Sequence, residues 1–349
     1  MRNIVVTGGL GFIGSHFIRQ ILSNKDSDIR SVTNIDFMGY GSNLLNLKGL
    51  SDARYKYIKN NIADKNKIES ELMTKDIDTV VNFAAETHVD RSISNPTDFI
   101  DSNINGVISL LEFCRIHDVE LFVQISTDEV YGDSIGGENF IECSPLRPNN
   151  PYSASKASAD LLTSAYNKTY GIKTIITRCS NNYGPNQFPE KLIPKTTIRI
   201  LKGLPVPLYG DGKQTREWIY VKDHVNAINM IINNSRIGEI YNISSSNLIS
   251  NIELITAIGE IIKKYNPNLN LRIEHVEDRP GHDKRYSLNT SKIRQKIGWK
   301  PVYSFESSLE ETIRWYINNE WWWAFLLNSN VLDMQPWKSN WKRNNQKEY

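Results

Sequence analysis

The sequence predicts an α/β protein: a Rossmann-like doubly wound parallel sheet with a smaller, mostly carboxyl-terminal α/β substrate-binding domain. Three observations predict it. Short apolar runs rich in strand formers alternate with helix-spaced apolar residues over the first 125 residues, the pattern of a parallel sheet. The first such run, Asn3 to Thr7, leads directly into Gly8, Gly11 and Gly14 and then into a helical pattern. The fifth run, Leu121 to Ile125, ends in Ser126-Thr127-Asp128-Glu129-Val130-Tyr131. Open α/β sheets bind ligands outside the carboxyl ends of their strands, so two acids and a hydroxyl stand where chemistry is usually done.

Each element follows in order. Phe12, Ile13, Phe17, Ile18, Ile21 and Leu22 recur at helical spacing after the glycine turn. Glycine there lets the backbone turn sharply and approach a pyrophosphate, which the helix amino terminus stabilises. A second strand, Arg30 to Ile35, ends in Asp36, 22 residues beyond Gly14. An acid at that distance usually meets the adenosine ribose hydroxyls and repels a 2′-phosphate, favouring NAD over NADP. A solvated strand-end acid is the alternative. Tyr55 to Ile58 is a third strand and Asp78 to Ala85 a fourth, with Ala84 and Ala85 small enough to pack against a flat ligand. Glu86 to Ser92 is expected as a polar loop, and Asp98 to Ile116 as a helix.

Asp128 and Glu129 follow the fifth strand. Adjacent carboxyls in unlike surroundings split into a neutral acid and an ionised base, although alone the pair reads equally as solvated loop acids. Neighbouring strand residues point to opposite faces. Both acids therefore reach one ligand only if the chain bends at Asp128.

A loop from Pro145 to Pro151 precedes a helix running to about Tyr170. Tyr152 and Lys156 are four apart, on one helical face. A free tyrosine ionises near pH 10, and a neighbouring ammonium favours the phenolate. This spacing is common by chance and gains meaning from the glycine turn upstream. Lys173 to Arg178 is a sixth strand, followed by a turn-rich stretch from Cys179 to Asn186 and a helix entered through Pro189 to Pro194.

The alternation then loosens. Asp211-Gly212 has hairpin chemistry. Val221 to Asn233, Asn251 to Lys264 and Glu306 to Asn318 are expected helices, the last of them before Trp321 to Trp323. Ile240 to Ile243 is expected extended, and Asp278 to Asp283 a charged turn. The expected division is 1–178 for the nucleotide-binding domain, with roughly 217–245 returning to it, 179–325 for the second domain and 326–349 for a tail.

Composition narrows the classes. The 349 residues suffice for one large or two medium domains. Lys plus Arg total 41 against 39 Asp plus Glu, which gives no electrostatic case for nucleic acid. Three cysteines, Cys114, Cys143 and Cys179, do not make a disulfide scaffold and favour a reducing compartment. No apolar run approaches the roughly 18–20 residues that span a bilayer, and no secretory signal opens the chain. The expectation is a cytoplasmic protein without metal or membrane.

The glycine turn with Tyr152 and Lys156 resembles the extended short-chain dehydrogenase/reductase family. The stretches from Ala84 to Ile93, Ser126 to Gly132, Arg178 to Pro185, Phe188 to Pro194, Arg216 to Asp223 and Asp278 to Asp283 are similar to its 4,6-dehydratase branch, which acts on nucleotide sugars. The resemblance runs from Met1 to about Trp323. It implies NAD as cofactor, dTDP-glucose as substrate and a homodimer joined through the helices near 98–116 and 152–170. UDP-glucose, and a 4-epimerase or decarboxylase on the same scaffold, are the competing implications. The 4-epimerases generally carry small or hydroxyl residues in place of Asp128 and Glu129.

By that resemblance, Tyr152, helped by Thr127 and Lys156, takes the proton of the glucose C4 hydroxyl. Glu129 removes the C5 proton, and protonated Asp128 protonates the leaving C6 hydroxyl. Cofactor contacts fall on Gly8, Gly11, Phe12, Ile13, Gly14, Asp36, Asn61, Ile62, Ala84, Ala85, Ser102, Tyr152, Lys156 and Asn182. Sugar-nucleotide contacts fall on Thr87, Asn181, Lys191, Leu192, Tyr209, Arg216, Asn251, Arg279 and His282. Arg216 and Arg279 suit a diphosphate, since guanidinium forks match phosphate oxygens; surface ion pairing is their alternative. His88, Asp90 and Arg91 are expected in a structural hydrogen-bond network.

The chain departs from the family at Asn61, where an Asp usually meets the adenine amino group, and across Phe37 to Asn43. In the tail, Trp337 and Trp341 are expected to pack, and Lys338, Lys342 and Arg343 to face solvent.

Overall fold

The computed structural model describes residues 2–23, 28–73, 75–134, 136–327 and 331–338. In chain order the elements are β1 (Arg2–Thr7), α1 (Phe12–Ser23), β2 (Ile29–Ile35), β3 (Tyr55–Ile58), α2 (Lys65–Leu72), β4 (Thr79–Asn82), α3 (Val89–Ser94), α4 (Pro96–Ile100), α5 (Gly106–Ile116), β5 (Leu121–Thr127), α6 (Pro151–Tyr170) and β6 (Thr174–Cys179). Next come β7 (Asn181–Tyr183), α7 (Leu192–Leu201), β8 (Val206–Tyr209), β9 (Thr215–Tyr220), α8 (Val221–Asn234), β10 (Ile240–Ile243), β11 (Leu248–Ser250), α9 (Asn251–Tyr265), β12 (Ile273–Val276), α10 (Ser291–Ile297), α11 (Phe305–Asn318) and α12 (Glu320–Trp323).

The predicted Rossmann-like sheet is present. Seven strands run parallel in the order β10-β6-β5-β4-β1-β2-β3. The order reverses beside β1, which opens a crevice between the turns after β1 and β4. Alternate residues of each strand feed opposite cores. Val5, Ile35, Val80 and Phe122 face α2 and α5, while Ile4, Val6, Val32, Val81 and Val123 face the α1 side. Burial on both faces explains why these strands read as continuous apolar runs. β10 arrives late in the chain and pairs with β6, so Ile240–Ile243 joins the large sheet.

Two small sheets, β11-β9-β7 and β12-β8, lie beyond. Several expectations change here. The turn at Asp211-Gly212 forms, but its flanking strands do not pair as a hairpin. β8 pairs with β12, and β9 pairs with β7 and β11. Turn chemistry is local, whereas the sheet partner is chosen by the side chains each strand buries. The turn-rich stretch after β6 contains β7. Strand β4 ends at Asn82, short of Ala85, and α11 is followed by α12, whose Trp322 and Trp323 are buried.

The expected polar loop from Glu86 to Ser92 is half helical, because Val89, Asp90 and Ser92 are buried in α3. The expected helix at Asp98–Ile116 is interrupted by a π-turn over Asp101–Asn105, between α4 and α5. Helix α6 begins where the sequence placed it. Asn150 accepts from the Ser153 amide, Pro151 occupies the first turn, and left-handed Gly171 ends the helix.

In the tail, Trp337 is half-buried and exposed Lys338 reaches Glu277 at 2.6 Å. Trp341, Lys342 and Arg343 lie outside the described residues.

Candidate active site

Two adjoining cavities of about 270 Å³ and 210 Å³ follow the carboxyl ends of the large sheet. They share Thr87, Glu129, Asn181 and Lys191, so they form one continuous trough.

The first cavity starts at the glycine turn. Gly8 has φ +68°, and a Cβ there would lie 2.6 Å from the Ala84 amide nitrogen. A Cβ on Gly14 would lie 2.5 Å from the Gly8 carbonyl oxygen. Neither position accepts a side chain, because the obstacle is backbone. Phe12, Ile13, Ile62, Ala84, Ala85, Ser102 and Asn182 join Gly8, Gly11 and Gly14 on this wall, with Ser102 carried by the π-turn.

Asp36 is buried at its far end. Its Oδ2 accepts from the Leu10 amide at 3.1 Å, and its Oδ1 accepts from the Met38 amide at 2.8 Å and the Ser42 hydroxyl at 2.9 Å. A carboxylate has about four acceptor sites, so Oδ2 keeps one for a ligand hydroxyl. Burial pushes its pKa up against these three hydrogen bonds.

Asn61 does not reach this wall. Its side-chain oxygen instead accepts from the Ala63 amide at 3.0 Å, holding it in a local turn at the surface. The neighbouring Asn60 lines the cavity, and both its amide nitrogen and oxygen are buried without a partner among the described residues. The sequence reading missed this residue, although two successive asparagines signalled the ambiguity.

The centre of the trough holds the five residues expected to carry chemistry. Strand β5 ends at Thr127, and Asp128–Tyr131 turn as a 3-10 helix. That bend meets the geometric condition: Thr127, Asp128, Glu129, Tyr152 and Lys156 all line the first cavity. The two carboxyls sit in unlike fields. Asp128 is pushed well above the usual carboxylate range by burial, then by the charges of Glu129 and Glu217. Glu129 is raised by burial, but Arg279, Arg216 and Lys191 favour its ionised form.

The Tyr152 phenol is pushed well above its ordinary value by burial and by Glu129, while the Thr127 hydroxyl pulls it down. Lys156 donates to the Ile125 carbonyl at 2.7 Å, and burial lowers its pKa to about 8. The sequence reading gave Lys156 the main part in favouring the phenolate. Here its ammonium donates to main chain, and burial, followed by the charge of Glu129, dominates at the phenol.

All nine expected sugar-nucleotide residues line the second cavity: Thr87, Asn181, Lys191, Leu192, Tyr209, Arg216, Asn251, Arg279 and His282. Most are held by protein partners. Arg279 pairs with Asp90 at 2.7 Å, and Tyr209 donates to the same carboxylate at 2.8 Å. Burial opposes the Asp90 charge but is outweighed by Arg279, His88 and Tyr209, which bring its pKa down to about 2. Asp90 thus organises one wall of the trough, a part that α3 alone does not reveal. Arg216 donates to the Asp283 carbonyl at 2.7 Å and lies over the Tyr286 ring. Lys191 donates to the Thr87 carbonyl at 2.9 Å. His282 contacts Asp278 at 2.6 Å, and burial brings its pKa to about 4.

Comparison with known proteins gives the family. The family model described as GDP-mannose 4,6 dehydratase matches residues 5–312. A dTDP-glucose 4,6-dehydratase from Neisseria meningitidis is 42% identical over 346 residues, covering 94% of this chain and 97% of that protein. One from an Actinoplanes species is 45% identical, covering 92% and 99%. The crystal structure of a dTDP-glucose 4,6-dehydratase from Streptomyces venezuelae, solved with NAD bound, superposes with a TM-score of 0.88 at 42% identity, covering 93% of this chain and all of that one. The chain belongs to the dTDP-glucose 4,6-dehydratase family of the extended short-chain dehydrogenase/reductases.

Proposed function

We propose that this protein removes water from dTDP-glucose to give dTDP-4-keto-6-deoxyglucose, with NAD as its cofactor. The observation that carries the reading is the bend at Asp128, which turns two carboxyls of unlike electrostatics toward the cavity lined by Tyr152. One acid and one base are what an elimination across C5 and C6 requires.

The first cavity fits the dinucleotide. Gly8, Gly11 and Gly14 keep the turn before α1 bare, so the helix amino terminus faces a pyrophosphate. Asp36 keeps an acceptor for a ribose hydroxyl, and the unpartnered Asn60 amide suits the donor and acceptor edge of adenine in place of Asn61. NAD held there would supply the redox chemistry, a reversible uptake of the C4 hydride that is delivered back at C6.

The chain's own groups move the protons. Tyr152 takes the C4 hydroxyl proton, with the Thr127 hydroxyl and the Lys156 ammonium offsetting the acids that oppose a phenolate. The 4-keto group acidifies the C5 proton. Glu129, favoured as a carboxylate by three nearby cations, removes it and gives it back to C5 when the hydride reaches C6. Asp128, held neutral, protonates the departing C6 hydroxyl as water. Arg216 and Arg279 lie on the wall suited to the diphosphate.

The chain is further proposed to act as a cytoplasmic homodimer, divided near residue 178 into cofactor and substrate domains. Exposed Ile100, Ile116, Leu161 and Tyr170 on α4, α5 and α6 support the dimer face. Free Cys114, Cys143 and Cys179 suit a reducing compartment. Among the described residues no helix is long and apolar enough to cross a membrane.

Product analysis tests the reading. Incubation with dTDP-glucose should release a 4-keto sugar nucleotide, seen by its alkaline absorbance, and UDP-glucose should give far less. An epimerised hexose or unchanged substrate would overturn it. Light scattering of the purified chain tests the dimer, which a monomeric mass would exclude.

A further inference from the structure

Lys191, just before helix α7, and Leu192 and Lys195 on it line the substrate cavity. The cations of this wall are balanced unequally. Arg279 is paired with Asp90, and Lys191 lies 4.0 Å from Glu190. Lys195 is 8% exposed, and among the described residues no carboxylate forms an ion pair with it. Its ammonium donates to the main-chain carbonyl of Asp333. An ammonium has three donors, so two remain. Among the described residues Asp90, Glu190 and Asp333 act on this charge only from beyond ion-pair distance, so its burial is costly and an anion in the cavity would offset that cost.

Asp333 belongs to a segment, 331–338, whose contacts run along the same wall. Arg199, one turn beyond Lys195, donates to the Leu332 carbonyl and lies 2.9 Å from the Met334 sulfur. Gln335 donates to the Glu277 carbonyl at 2.9 Å, and Lys338 pairs with the Glu277 carboxylate at 2.6 Å. Residues 336–338 pack on α3. The segment therefore ties together α7, α3 and the turn that carries Arg279 and His282, all of which supply cavity walls.

We propose that Lys195 is a further substrate-binding residue, a cation for the phosphate oxygens of a nucleoside diphosphate, and that residues 331–338 strap its ammonium against the cavity. The inference rests on the nucleotide-sugar reading and adds to it a residue and a role for the tail.

Calorimetric titration of wild type, Lys195→Met and Lys195→Arg with dTDP and with thymidine tests it. The Met variant should bind dTDP about 10-fold more weakly or worse, as loss of a charged hydrogen bond implies, while Arg restores most of the affinity. Thymidine and NAD should bind all three alike. Unchanged dTDP affinity in the Met variant, or an equal loss for thymidine, overturns the proposal.

A chain ending at Leu327 should lose the same dTDP affinity, and Lys195→Met in that background should add nothing. If the shortened chain fails to fold, Gln335→Ala with Lys338→Ala releases the strap from Glu277 instead; full dTDP affinity in that variant refutes the strap.

A pH series gives an independent readout. Burial brings Lys195 to about 8, with Asp90, Glu190 and Asp333 raising it and Arg199 lowering it. Wild-type dTDP affinity should fall above about pH 8 and lose that dependence in the Met variant; a flat wild-type profile counts against the proposal. Wild type that yields no 4-keto product sinks the dehydratase reading, whereas normal product formation with unaltered binding by Lys195→Met sinks only this inference.

Discussion

The two halves of the trough are built on different principles. The cofactor half is a backbone construction: Gly8, Gly11 and Gly14 leave room, α1 points its amino terminus, and Asp36 is fixed by the amides of Leu10 and Met38. The sugar-nucleotide half is a charge construction. Asp90 holds Arg279 and Tyr209, Asp278 holds His282, and the Asp283 carbonyl holds Arg216. One half should therefore fail when an atom is added, and the other when a charge is removed.

The largest effect is expected where the halves meet. Glu129→Gln should lower dehydration about 10²- to 10⁴-fold, the usual range for losing a general base. Single-turnover absorbance should still show the cofactor reduced. A cofactor that stays oxidised would mean Glu129 acts before the C5 step and that the junction is not divided as drawn.

Gly14→Ala tests the cofactor half. The new Cβ meets the Gly8 carbonyl, which has no flexible end to yield. NAD affinity should fall about 100-fold in calorimetry, since near-angstrom misplacement costs that order. Wild-type affinity in a folded variant would break the backbone account.

Asp90→Asn tests the other half. Removing one member of a buried pair costs about 3–5 kcal/mol and leaves Arg279 without its counter-charge. The melting temperature should drop by several degrees and KM for the sugar nucleotide should rise, with NAD affinity unchanged. Equal loss of both ligands would erase the distinction between the halves. Asn60→Ala sharpens the same point more gently. It should weaken NAD about 10-fold but barely change affinity for the hypoxanthine analogue, which lacks the adenine amino group. Parallel losses would return the adenine contact to Asn61 or elsewhere.

Acid probes both halves at once. His16, on α1, is held neutral with a pKa near 4 by burial, despite its hydrogen bond to the Pro185 carbonyl. Burial likewise takes His88 to about 4 and His224, which contacts Asn182, to about 3. These values lie below the ordinary 6.5, so the unfolded chain binds more protons between about pH 6.5 and 4. The stability they contribute is complete above that window and is lost as pH falls through it. Melting temperatures measured from pH 8 to 4 should drop mainly below 6.5; a flat profile there would mean these imidazoles are not held neutral.

Motifs that span a single turn were legible before any coordinates. Gly8, Gly11 and Gly14, Asp36, and Tyr152 with Lys156 on one face of α6 each depend on local backbone geometry, and all of them line the first cavity. Where the decision is between neighbours, sequence spacing is blind. Asn60 and Asn61 differ only in which side the chain presents after β3, and Asn61 spends its oxygen on the Ala63 amide. The Asp211-Gly212 turn was legible, but the partners of β8 and β9 were not, since they are set by strands about 30 to 70 residues away along the chain.

What the sequence determined by itself is the sheet, the glycine turn, the acid pair and the tyrosine–lysine face, because periodicity and turn chemistry act over a few residues. What only the tertiary structure decided is the state of those groups. Asp128 bends beside Glu129 and Glu217, Asp90 finds Arg279 across 189 positions, and Lys195 meets the tail. Burial sets the cost of each charge, and burial is a property of the whole packed chain.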